Sequence, residues 1–142
     1  MNTGNVTKGG FDFSSLDFIS EENDALLRKG KTQPEDIILT TRGTVGNVGY
    51  FNKNISHDHI RINSGMVILR AKGKEIHPYF LYIYLRSNVF KKQILKNTSG
   101  RAKPQLPINS LHNVIFQYPS ISTQKRIADV IFFLDAKIEL NN

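Results

Sequence analysis

The sequence predicts an α+β fold. Three observations carry this: short continuous apolar runs bounded by Gly and Asn through the middle, a switch to helical patterning after residue 76, and a last segment with heptad-like apolar spacing. At 142 residues the chain fits one domain with a real core, and 14 aromatics (nine Phe, five Tyr) argue against disorder.

Taken in order, residues 14–29 contain a helix. Ser20 caps it, Glu21 and Glu22 suit its first turn, Arg28 and Lys29 its last, and Gly30 stops it. The run EDIILTT reads as a buried strand, and TTRGTVGNVGYFN then spaces Gly43, Gly46 and Gly49 three apart before a strand at VGYF. Met66–Leu69 is a second continuous apolar strand. Pro78 opens the first of two short helices, YFLYIYLRS and VFKKQILKN, with Ser87 capping the second and Gly100 ending it. On the first, Phe80, Leu81, Tyr84 and Leu85 form the expected core face. A late strand is expected at NVIFQY, then a final helix from Ile121. Its residues Ile127, Ile131, Leu134 and Ile138 form a seam that calls for a partner helix.

The net charge of +7 is lopsided. Residues 1–71 carry eight Lys/Arg against eight Asp/Glu, and residues 72–142 eleven against four. Such asymmetry points to a polyanion, nucleic acid before an anionic membrane, or to a solvated basic face. Lys91, Lys92, Lys96, Arg101 and Lys103 concentrate it at one helix and the loop after it. Arg101, Lys103 and Gln105 stand there in Pro-rich irregular backbone, and Arg and Gln are side chains that read base edges bidentately.

The glycine stretch matches neither dinucleotide nor nucleotide-triphosphate loops, because no Lys and no helix follow it. Its expected role is a turn with positive φ. Backbone N–H groups there, reinforced by Arg42, Thr44 and Lys53, would suit a DNA phosphate. ALLRKGKT resembles a phosphate loop, but a helix precedes it and a strand follows, the reverse of the required order. His57 and His59 of the HDH stretch share a strand face without an evident third metal ligand, so no metal site is expected. Catalytic constellations are missing: the chain has no cysteine, no H-E-x-x-H and no G-x-S-x-G. No apolar run reaches membrane-spanning length, and the cytoplasm is the expected setting.

Five stretches together resemble the specificity subunits of type I restriction-modification systems: TGNVTKGGFDFSSLDFISEE, PEDIILTTRGTVGNVGYF, NSGMVILRAKGKEIHPYFLYIYLRS, SGRAKPQLPINSLHNVIFQYPS and STQKRIADVIFFLDAKIELN. The resemblance implies a target recognition domain over 1–119, with an irregular β-helix-like mixed sheet and short helices. It implies that 120–142 begins a long coiled-coil-type spacer helix that pairs with another half. It also implies double-stranded DNA, methyltransferase subunits and a motor-nuclease subunit as partners, no cofactor and no catalytic residues. The half-subunit would act as a homodimer or beside a second half, and the opening segment of the recognition domain and the end of the helix are expected to be missing here. Two rivals stand beside it: an assembly module working through the last helix, and the recognition domain of a single-chain DNA methyltransferase, whose N-P-P-F or D-P-P-Y motif does not occur.

Overall fold

The computed structural model describes residues 1–142 apart from Asp58, Gly73, Arg101, Asn141 and Asn142, and apart from the side chains of Glu139 and Leu140. The order is β1 (Val6–Thr7), β2 (Gly10–Phe11), α1 (Glu21–Leu26), β3 (Ile37–Thr40), β4 (Val48–Tyr50), β5 (Met66–Leu69), α2 (Pro78–Arg86), α3 (Asn88–Leu95) and α4 (Ile121–Leu140), with single 3-10 turns at Thr3–Asn5 and Ile108–Asn113.

β3 is the centre because it is apolar on both faces. It pairs antiparallel with β4 on one side and β5 on the other, Ile38 standing opposite Gly49 and Ile68. Ile37 and Leu39 point to a cluster with Val48, Tyr79, Tyr82, Leu85, Phe90 and Leu106, while Ile38 points to Val6 and Met66. The result is three layers: the β1–β2 hairpin, the central sheet, and the helices. Ile37, Ile38 and Leu39 are fully buried, which stabilises the fold by about 2 kcal/mol each. Gly49 lets the hairpin lie close, since a Cβ there would sit 2.5 Å from the Phe11 ring. Partial burial, helped by the nearby Glu35 charge, pushes the Tyr50 hydroxyl up to about 12.

Both apolar runs, the Pro78 start and the Ser87 cap fall where the sequence places them. Ser87 accepts from the Phe90 N–H. Four expectations are corrected. α1 is only six residues long, ends before Arg28 and Lys29, and buries nothing, so no basic last turn exists. On α2 the fully buried residues are Tyr79, Tyr82 and Leu85, while Leu81 and Tyr84 are half-buried against the same core and Phe80 and Tyr84 also meet Phe116. Phe116 belongs to the NVIFQY segment, which is not a strand. The Gln93 side chain takes the place of a neighbouring strand: its amide accepts from the Ile115 N–H (2.8 Å) and donates to the Ile115 carbonyl (3.1 Å), while Phe116 stacks on Tyr84. Finally, strand pairing among the described residues is antiparallel throughout, rather than mixed.

α4 leans on α2 through a seam that is partly polar. Gln124 and Ala128 are buried and Ile131 and Asp135 half-buried. The Gln124 amide accepts from the His77 N–H (2.9 Å) and donates to the Glu75 and Pro119 carbonyls. Asp135 accepts from the Tyr79 hydroxyl (2.9 Å) and pairs with Arg86 at 3.4 Å. Of the expected partner seam, Ile131 faces this core, whereas Ile127, Leu134 and Ile138 are exposed.

Candidate nucleic-acid interface

The turn from β3 to β4 is made by glycines at positive φ, Gly43 at 71° and Gly46 at 92°. Thr40 ties it internally, its hydroxyl bonding the Thr44 carbonyl and accepting from the Asn47 N–H at 3.0 Å. A second segment, 99–107, crosses beside it. Gln105 and Ser99 exchange backbone hydrogen bonds of 2.9 Å, the Leu106 N–H donates to the Thr41 carbonyl at 2.8 Å, and the Gly43 N–H donates to the Pro104 carbonyl at 3.2 Å. Arg42 and Gln105 thereby become cross-strand partners although 63 positions apart in the chain. Leu106 anchors the crossing segment, being 2% exposed.

This lacing occupies most of the turn's backbone amides. The amides of Thr41 and Arg42 donate to the Gly65 carbonyl, that of Gly43 to Pro104, that of Val45 to Gly43 and that of Gly46 to Thr40. What the turn presents outward is therefore mostly side chain. Arg42, Thr44, Lys103 and Gln105 are exposed together along the paired loops, and Arg42 and Lys103 form no ion pair among the described residues. Between the loops lies a cleft of about 250 Å³ whose rim offers the side chains of Arg42, Ser64, Gln105 and Asn109. Ser64 and Asn109 went unnoticed in the sequence, because only the tertiary crossing brings them to the rim. Lys53 lies at the other end of β4, beyond the Tyr50 that pairs with Ile37, and so away from this rim. Arg101 lies outside the described residues.

Other cations are spent on structure. Arg70 grips the fully buried Asp36 with two bonds of 2.6 and 2.7 Å, Arg61 and Lys31 hold Asp24, and Arg86 holds Asp135 while lying 5.1 Å over the Tyr82 ring. The Arg61 hydrogen bond keeps the Asp24 carboxyl below the usual carboxylate range, against the opposing effect of burial. His57 stacks on Phe13 at 5.0 Å, and no group of three metal-ligating side chains occurs among the described residues. The ALLRKGKT stretch contains no helix start: α1 ends inside it, and Thr32 bonds the Ile60 carbonyl.

Comparison with known proteins identifies the family. The family model described as type I restriction modification DNA specificity domain matches residues 4–142. The specificity subunit of the type I restriction enzyme EcoBI from Escherichia coli is 28% identical over 86% of this chain and 25% of its own length. That of HindI from Haemophilus influenzae is 27% identical over 99% of this chain and 30% of its own length. The chain thus spans about a quarter to a third of these relatives. In fold it is similar to the HsdS subunit from Thermoanaerobacter tengcongensis, with a TM-score of 0.61 at 20% identity over 77% of this chain and 28% of that one. With its residues from Gly4 onward matched by that model, the chain belongs to the family of type I restriction-modification DNA specificity domains.

Proposed function

We propose that this chain is a non-catalytic recognition module that binds double-stranded DNA for a type I restriction-modification complex. The observation that carries the reading is the lacing of the glycine turn to the 99–107 segment, which gathers Arg42, Thr44, Lys103 and Gln105 on one exposed edge of a domain of this family. Lysine contacts to phosphates set affinity and salt dependence, while Gln105, with Arg101 four positions before it in sequence, reads base edges. Residues 1–119 form the recognition part.

From residue 120 onward α4 begins a spacer helix, and it is the feature that supports the assembly reading as well. Ile127, Val130, Phe133, Leu134 and Ile138 are exposed along it, from 37% to 68%. A second half-subunit or a second copy covers this ridge, and methyltransferase and motor-nuclease subunits join the assembly. No described helix is long and apolar enough to cross a membrane.

Co-expression with a methyltransferase subunit, followed by co-purification and mapping of the methylated DNA, tests the reading. A single bipartite methylated sequence is the expected result. Co-purification without sequence-selective methylation would leave only the assembly role.

A further inference from the structure

We propose that a second line of DNA phosphate contacts runs along the other flank of the 42–47 turn, carried by Lys8 and Lys91. This rests on the DNA reading of the turn itself. A cleft of about 630 Å³ opens there, between the β1–β2 hairpin, the turn and α3. It contains three cations, Lys8, Arg86 and Lys91, and no carboxylate among its described lining residues. These cations come from two distant parts of the chain, and Lys8 belongs to the half whose charges sum to zero.

The cleft is held in shape by specific contacts. The Asn47 side chain donates to the Val6 carbonyl at 2.8 Å, which fixes the hairpin bearing Lys8 against the turn. Gly46 brings the turn against α3 so closely that a Cβ would meet the Ile94 Cδ1 at 3.0 Å. Arg86 is tethered by Asp135 and by the Tyr82 ring, so it forms a fixed wall whose charge is already paired and leaves Lys8 and Lys91 as the cleft's available cations. Lys8 and Lys91 are exposed and form no ion pair among the described residues.

The occupant follows from position and charge. This cleft and the one beside Gln105 share the turn between them but no lining residue. A turn entering a duplex groove about 12 Å wide meets a phosphate line on each wall. Arg42 and Lys103 serve one wall; Lys8 and Lys91 serve the other. An acidic protein surface would satisfy the charge alone, and the test separates it.

Duplex binding by the 142-residue chain is measured as a function of salt, with Lys8→Ala/Lys91→Ala and Lys103→Ala in parallel and thermal melting to verify folding. The double variant should bind about tenfold more weakly at low salt, with the salt slope smaller by about two, since each phosphate contact contributes about 0.9. An unchanged slope in the double variant beside a reduced one in Lys103→Ala overturns this second line and leaves the first edge standing. The reverse outcome supports the second line and removes the first edge. No duplex binding by the parent chain removes both. Because the chain has no cysteine, Lys8→Cys carries a single photo-crosslinker even if the double variant misfolds. Crosslinking to duplex DNA supports the inference; crosslinking only to a co-purified methyltransferase subunit rejects it.

Discussion

The arginines at the sheet and hairpin edges and the cations around the glycine turn have the same formal charge and opposite uses. Arg70 and Arg61 are held by internal acceptors: Arg70 by both oxygens of Asp36, and Arg61 by Asp24 together with the Lys29 carbonyl at 2.9 Å. Arg42 and Lys103 are exposed on two loops laced to each other through Gly43, Pro104, Thr41 and Leu106. A cation with an acidic partner belongs to folding. A cation on a laced loop with no ion pair among the described residues is available for an external anion.

The comparison breaks most visibly at Arg70. Arg70→Ala leaves Asp36, 0% exposed, with the Gln33 N–H as its remaining donor, and should cost about 3 kcal/mol of global stability in urea titration, with duplex affinity per folded molecule unchanged. A loss of DNA binding at full stability would place Arg70 on the wrong side of the division. Arg61→Ala comes next. It should release the α1 segment, which buries none of its own residues, so limited proteolysis at 21–29 accelerates while the global melting transition moves little. A collapse of the whole transition would mean that α1 is part of the core.

Lys103→Ala should leave stability within about 0.5 kcal/mol, weaken binding to every sequence alike, and reduce the salt slope by about one. Gln105→Ala sharpens the picture further, since a base-reading side chain should lose discrimination at one base pair, and an equal loss on random DNA would reassign it to the backbone. The smallest effect is that of acid. A carboxyl held below its ordinary range contributes stability that is present above the unfolded value of about 3.9 and is lost as pH falls through the folded one. The α1 segment should therefore loosen below about pH 4, read by proteolysis at 21–29, and Arg61→Ala should abolish that pH dependence.

Much of the fold was legible because its signals are local. β3 and β5 are unbroken apolar runs, Pro78 starts a helix where a missing N–H is harmless, and Ser87 caps the next. The misreadings share one physical cause, a side chain doing what the pattern assigns to backbone or to apolar surface. Gln93 imitates a neighbouring strand for Ile115, so a segment rich in β-formers needs no ladder. Gln124 and Asp135 occupy the inward seam of α4, one position out of step with the apolar seam expected to be special. At the candidate site the two loops were legible separately. Their junction was not, because the bonds joining Thr41 and Gly43 to Pro104 and Leu106 carry no sequence mark.

Gln124 has a mechanical consequence. Near its start, α4 is clamped to three backbone groups by one amide, and the 20-residue helix continues beyond it for about 24 Å. A tilt of about 10° of the rod at that root would sweep the far tip sideways by about 4 Å. Together with Asp135, eleven residues further on and bonded to Tyr79 and Arg86, the clamp sets the bearing on which anything seated along the rod is aimed.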